Sequence, residues 1–251
     1  MALVFADSRG RAGVSSGRGM LSSPPRRWAV IHKHKQHAHA EFSHWASTYD
    51  SHWLNYFLFE PSHALLLKEL RAAAPGRALD IGCGTGELAG RLAERGWQVI
   101  GLDLCEPMLH RARFKLNGNA GSVRLAVGDS EHVPFADRSF DTITCANSFH
   151  HYPHQEAVVR EMFRVLRPGG RLLLLDGWPD HFIGRIVYDI IITRVEGGAV
   201  WHRESRDMRA MLEAAGFRHV TQKRTYSLFP ILLTRGIVPD PAGADRPRTS
   251  R

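Results

Sequence analysis

Cysteine is scarce in this sequence, with three in 251 residues. So few, and without even pairing, they do not make a disulfide framework, and they fit a reducing, cytoplasmic setting. No C-x-x-x-C-x-x-C run occurs, which argues against an iron–sulfur radical mechanism. No apolar stretch approaches the roughly 18 residues that a bilayer span needs, so no membrane span is expected. The first twenty residues lack a basic stretch leading into an apolar one, and no secretory signal is read there. Net positive charge is scarce in the middle of the chain. The formal net charge is +8, but residues 1–40 carry +6 of it and residues 236–251 carry +1, which leaves +1 for residues 41–235. The basicity belongs to the ends, and no nucleic-acid partner is expected.

What is present divides into three parts. Residues 1–27 are rich in Gly, Ser, Arg and Pro without periodicity. With the His-rich stretch after them they read as a disordered, basic N-terminal arm, residues 1–40. Residues 239–251 read as a second disordered tail. Residues 41–238 alternate apolar strand patterns with helical ones. Strands are expected at 77–82, 97–103, 122–129, 140–147, 171–176, 217–224 and 226–234. Helices are expected from Glu87 to a stop at Gly96, near 106–116, at 154–166 closed by Pro168-Gly169-Gly170, and at 205–215 ending at Gly216. The fifth strand, "RLLLLD", is apolar on both faces and so expected to be buried on both. Such βα alternation argues for an α/β fold with a doubly wound, mostly parallel sheet. Ligands of these sheets bind at the carboxyl ends of the strands.

Residues 78–90 read "ALDIGCGTGELAG". Gly82, Gly84 and Gly86 let backbone approach a ligand closely, and Thr85 is placed to cap the next helix. A dinucleotide loop reads G-x-G-x-x-G and sets a pyrophosphate on the helix N-terminus. Here the spacing is G-x-G-x-G, with Asp80 before the loop and Glu87 directly after it. Carboxylates on both sides suit a cationic ligand without phosphate, and S-adenosylmethionine (SAM) is one. Asp103, at the end of the second strand, is placed to take ribose hydroxyls. Asp129, with Ser130, ends the third strand, where an acid can accept from an adenine amino group.

The runs Asp80-Ile-Gly-Cys-Gly-Thr-Gly86, Gly101-Leu-Asp-Leu104, Gly128-Asp129 and Val165-Leu-Arg-Pro-Gly-Gly-Arg-Leu172 resemble the successive motifs of Rossmann-like SAM-dependent methyltransferases. The chain is most similar there to the small-molecule group that includes the ubiquinone/menaquinone-biosynthesis enzymes. The resemblance covers roughly residues 42–235. It implies a seven-stranded sheet with an antiparallel last strand. It also implies that Asp80 and the backbone of Gly82, Cys83, Gly84 and Gly86 lie near the methionine end of SAM. Asp103 would lie on the ribose, Leu104 against the adenine, and Asp129 with Ser130 at the adenine edge. An N-terminal helix with a Tyr-Asp pair folds over the cofactor in such enzymes, and Tyr49-Asp50 matches it.

After the fourth strand the chain reads Asn147-Ser148-Phe149-His150-His151-Tyr152-Pro153, beside the cofactor in such a fold. The ubiquinone-type enzymes carry an Arg-Asn pair here, which this chain lacks, so a quinone precursor is not implied. His150 and His151 are the candidates for a general base, since imidazole suits proton transfer near neutral pH. Residues 177–203 form an insertion expected to cover the substrate. Ile183, Ile186, Val187, Ile190 and Ile191 recur in it at helical spacing, and Tyr188, Trp201 and His202 are candidates to line its pocket.

The tract "HKHKQHAHAEFSH" (32–44) suits adventitious nickel or zinc capture. No resident metal is expected. The expected function is methyl transfer from SAM to a small, apolar organic acceptor. The alternative is a SAM-binding or regulatory protein without turnover on the same fold.

Overall fold

The computed structural model describes residues 53–116, 123–180, 182–188, 200–225 and 230–241, with residues 53–58 described by backbone alone. The whole arm, residues 242–251 of the tail, Tyr49, Asp50, Ile190 and Ile191 lie outside the described residues.

In chain order the elements are α1 (Trp53–Leu70), β1 (Arg77–Ile81), α2 (Glu87–Ala93), β2 (Gln98–Asp103), α3 (Glu106–Lys115), β3 (Val123–Val127) and β4 (Phe140–Ala146). A single 3₁₀ turn (Phe149–His151) follows, then α4 (Gln155–Val165), β5 (Leu166–Gly177), α5 (Phe182–Arg185), α6 (Ser205–Ala215), β6 (Arg218–Thr225) and β7 (Ile231–Ile237). The strands form one seven-stranded sheet in the order β3-β2-β1-β4-β5-β7-β6. Neighbours from β3 to β5 pair parallel, and β7 runs antiparallel to both β5 and β6. The chain winds outward from β1 to β3, then returns to place β4 on the other side of β1. Between β1 and β4 the connections part in opposite directions, which opens a crevice at their carboxyl ends.

Strand alternation explains the two cores. Leu172 and Leu174 pack into one with Val158, Val159 and Met162 of α4 and Met208 and Leu212 of α6. Leu173 and Leu175 pack into the other with Leu66 and Leu70 of α1 and Leu88 and Leu92 of α2. The fifth strand is thus buried on both faces, as its run of leucines requires. In α4, residues 158, 159, 162 and 165 lie on one face at helical spacing, and all four are fully buried.

Boundaries differ from expectation in three places. Helix α4 does stop at Val165, but β5 begins at once: Leu166 pairs with Phe140. Pro168-Gly169-Gly170 is therefore an irregular stretch within β5, where Gly169 takes φ +75° and its N–H donates to Val238 O. Strand β3 stops at Val127, before Gly128-Asp129. The last strand lies at 231–237 rather than 226–234, because that register runs Ile231–Ile237 against Gly177–Arg171 along β5.

The insertion is only partly inward. Val187 and Tyr188 are buried, whereas Phe182, Ile183 and Ile186 are exposed. The Tyr188 hydroxyl donates to Pro230 O at 2.6 Å. The apolar repeat thus does not form one core-facing stripe over 182–188. Among the described residues no helix is long and apolar enough to cross a membrane.

Candidate active site

A cavity of about 340 Å³ opens at the carboxyl ends of β1 to β4, with α1 along one side. Asp80, Gly82, Cys83, Gly84, Asp103, Leu104, Asp129, Ser130, Asn147 and His151 all contribute to its lining. Gly86 and His150 do not.

The three glycines turn out to act differently. All have left-handed backbone, with φ of +69°, +52° and +76° for Gly82, Gly84 and Gly86, a region that costs other residues energy. A Cβ on Gly82 would strike the Ser148 side chain and the Tyr152 hydroxyl, and one on Gly86 would come within 2.9 Å of Leu116. A Cβ on Gly84 would meet nothing within 4 Å. Gly84 therefore leaves open space in the cavity, while Gly82 and Gly86 make room for the protein's own side chains. Gly86, and not Thr85 as expected, takes the N-cap position of α2. Gly84→Ala is expected to destabilise the fold by about 1–2 kcal/mol and to weaken SAM binding, measured by urea denaturation and calorimetry respectively.

Two carboxylates flank this loop. Asp103 Oδ2 accepts from Gly84 N–H and Oδ1 from Cys105 N–H, each at 2.8 Å. Asp80 is almost fully buried, and its Oδ1 accepts from Thr144 Oγ1 at 2.7 Å. Burial pushes the Asp80 carboxyl up to about 7, the negative charge of Asp103 adds to this, and the Thr144 bond opposes it. At β3, Asp129 Oδ1 accepts from Glu131 N–H at 3.0 Å, closing a turn that brings Ser130 and Glu131 to the cavity.

Glu87 does not act as expected. It pairs with Arg91 at 2.9 Å and Lys115 at 2.7 Å, and Arg91 also reaches Glu60 of α1 at 2.6 Å. These four charges cancel locally, so the acidic character of the loop rests on Asp80 and Asp103. Phe59, Glu60, His63, Arg91 and Lys115 line the cavity and were not expected there. Glu60 and His63 are three apart on a helix, and Glu87 and Arg91 four apart, so each pair shares a face. That α1 packs over the loop is invisible in the spacing. Burial holds His63 down at about 4, and Arg91 nearby acts in the same direction.

Asn147 opens the segment after β4 in left-handed conformation, φ +51°. Its N–H donates to Leu175 O at 2.9 Å and its Oδ1 accepts from Ser62 Oγ at 3.3 Å, but its buried Nδ2 has no hydrogen-bond partner. Ser148 Oγ lies 3.1 Å from the Tyr152 hydroxyl and 3.3 Å from Cys145 Sγ. Burial raises the Tyr152 phenol well above its ordinary range, and the Cys83 and Cys145 thiols rise for the same reason. All three groups are neutral at physiological pH. The three cysteines are buried and outside any disulfide.

The 3₁₀ turn sends its two histidines to different places. His151 lines the cavity. His150 is buried beside Asp176 at the end of β5: its Nδ1 lies 2.6 Å from Asp176 Oδ1, and its backbone N–H donates to Oδ2 at 2.8 Å. Tyr188, Trp201 and His202 do not line the cavity either. Tyr188 and His202 pack in series against His150, with ring centroids 4.8 Å and 4.6 Å apart.

Residues 79–174 match the family described as "Methyltransferase domain". The chain is 33% identical over 190 residues to a ubiquinone/menaquinone biosynthesis C-methyltransferase UbiE of Pseudomonas putida, covering 66% of this chain and 74% of that protein. It belongs to the class I SAM-dependent methyltransferases. A demethylmenaquinone methyltransferase of Deinococcus radiodurans is 43% identical over 110 residues, 43% of this chain and 46% of the relative. That match thus spans about half of the relative's length. The structure of the YcgJ protein of Bacillus subtilis superposes with a TM-score of 0.62 at 23% identity, covering 72% of this chain and 99% of that one, a likeness of fold.

The methyl donor of this family is SAM, and the cavity of this class I methyltransferase fits it on three counts. Gly84 leaves open space, the Asn147 Nδ2 donor lacks a protein partner, and Asp80 and Asp103 present acidic oxygens to a cationic ligand.

Proposed function

We propose that this protein transfers the methyl group of SAM to a small, largely apolar organic acceptor. The observation that carries the proposal is the joining of the Asp80–Gly84–Asp103 cradle to the His151 wall in one cavity. In this reading Asp80 holds the ammonium end of SAM, Asp103 the ribose, Leu104 a face of the adenine, and Asp129 with Ser130 its edge. Bound SAM supplies the electrophilic methyl group. The protein's part is alignment and exclusion of water. Asn147 Nδ2 is a donor for the ligand beside the methionine moiety. An imidazole nitrogen of His151 takes the acceptor's proton. His150, held by Asp176, positions the turn that carries His151.

The test is incubation with SAM and a panel of apolar acceptors, with demethylmenaquinone included for its likeness to the relatives' substrate. Formation of S-adenosylhomocysteine together with a product heavier by one methylene supports the reading. SAM binding without product across the panel would favour a regulatory protein. Micromolar affinity for NAD without SAM binding would remove the proposal altogether.

Asp80 makes SAM affinity depend on pH. Its folded pKa is raised, so in the free protein the carboxyl still holds its proton between about pH 4 and 7. Ionising it there works against the fold, and this residue's contribution to stability falls as pH rises through that window. A cationic ligand favours the ionised form, so SAM affinity is expected to rise with pH up to about 7 and then level off. Well below pH 7 the change approaches tenfold per unit. Calorimetry from pH 5.5 to 8 measures it, and Asp80→Asn should flatten the curve. A flat curve in the wild type would show that Asp80 does not meet the cation.

A further inference from the structure

We infer that His150, Asp176 and His202 form a binding site for a divalent transition ion of the zinc type, set behind the wall of the cavity. Each residue comes from a different segment: the turn after β4, the end of β5, and the stretch before α6. Their donor atoms lie within 4.8 Å of one another. The side chains are 7%, 6% and 2% exposed for His150, Asp176 and His202. None of the three lines the cavity, so the site is separate from that of SAM and acceptor.

The decisive residue is His202. Neither of its ring nitrogens has a hydrogen-bond partner, although both are buried. Leaving a buried polar atom unpaired costs free energy. The nearest acidic atom, Asp176 Oδ1, is 3.9 Å from His202 Nδ1, beyond a hydrogen bond. It is close to the spacing of about 3.4 Å between two ligands of a tetrahedral ion with bonds near 2.1 Å. An ion between them satisfies His202 with a small movement. Asp176 Oδ1 and His150 Nδ1 now share a proton at 2.6 Å. On metal binding His150 ligates as a neutral imidazole, the Nδ1 proton passing to Nε2 of the same ring, or to solvent where the ring starts as imidazolium, and the pair opens by less than about 1 Å to reach the same ligand spacing.

The surroundings suit this role. Gly177 N–H donates to Asp176 Oδ1 at 2.7 Å and His150 N–H to Oδ2 at 2.8 Å, which fixes the carboxylate. Such outer bonds orient metal ligands. The His150 and His202 rings are stacked, with centroids 4.6 Å apart and 29° between their planes, so one ring must rotate to aim both lone pairs at a shared ion. Two imidazoles and a carboxylate favour zinc, cobalt or ferrous iron over magnesium or calcium. The ion would tie residues 200–204 to the His150–His151 turn.

The test uses the full chain with His32, His34, His37, His39 and His44 replaced by Asn, because that tract captures metals unspecifically. Cobalt(II) chloride alone is titrated into it. One equivalent is expected to bind, with visible absorption bands of a low-symmetry site, and zinc(II) should displace it and raise the melting temperature. His202→Phe and Asp176→Asn in the same background should each weaken binding by about 100-fold and remove the zinc-dependent rise, with circular dichroism showing the fold retained. Should His202→Phe misfold, His202→Gln serves in its place. Absence of cobalt or zinc binding in the folded background protein would overturn the inference. So would binding that survives the substitutions at 202 and 176.

Discussion

Replacing His151 with alanine is expected to lower kcat by about 10²–10⁴-fold, the usual range for loss of a positioned general base, while SAM affinity stays near normal. The expectation follows from how the turn after β4 divides its two histidines. His151 lines the cavity that holds the Asp80–Asp103 cradle. His150 is turned into the protein and held twice by Asp176. A base must reach the acceptor, and of these two histidines His151 is the one that borders the cavity. His151→Ala should also lose the ascending limb of the pH–rate profile. His150→Ala is the informative contrast. It removes the imidazole partner of buried Asp176 and leaves that carboxylate with two backbone N–H donors only, so its main effect is on stability, about 1–3 kcal/mol, with a smaller fall in kcat. The check is steady-state kinetics of both variants with whichever acceptor the panel identifies. Equal, near wild-type kcat in both would show that alignment alone drives the reaction.

Asp103→Ala is expected to weaken SAM binding by about 10–100-fold, equivalent to about 1.4–2.8 kcal/mol. Two losses add. The ribose loses its acceptor, and the N–H groups of Gly84 and Cys105 lose theirs, both of which bond the carboxylate at 2.8 Å. The second loss loosens the loop that leaves open space for the ligand. Asp103→Asn keeps the shape and one acceptor oxygen, but turns an amide N–H toward a backbone donor, so its affinity should fall between wild type and alanine. Calorimetry on folded protein measures both. Unchanged affinity in Asp103→Ala would remove this residue from the site.

Much of the framework is written in local pattern. Alternation of apolar runs with helical periodicity is a property of neighbouring residues, and strand pairing turned it into the expected sheet. The carboxylates at the ends of β1, β2 and β3 were legible for the same reason: in a parallel α/β sheet all strand ends with the same polarity meet on one edge. The shift of β7 to residues 231–237 was not legible, because its register is set by the twelve-residue β5 beside it and not by its own turn signals.

The site divides along the same line. That a glycine loop between Asp80 and Glu87 suits a cationic ligand was read from residue order and spacing; the pairing of Glu87 with Arg91 and Lys115 leaves that reading to rest on Asp80 and Asp103. Which glycine leaves open space could not be read so, since Gly82 and Gly86 are crowded by Ser148, Tyr152 and Leu116, side chains from elsewhere in the fold. Glu87 looked like a free carboxylate until α3 brought Lys115 to it. His150 and His151 are adjacent and chemically identical, and sequence alone cannot tell them apart. A 3₁₀ turn, one buried aspartate on β5 and the packing of residues 200–204 send one inward and leave the other at the cavity. Sequence by itself determined the sheet, the loop and the acids at its edge, all set by local order. Tertiary structure decided the charge balance and the inward or outward facing of each histidine, because those depend on partners distant in the chain.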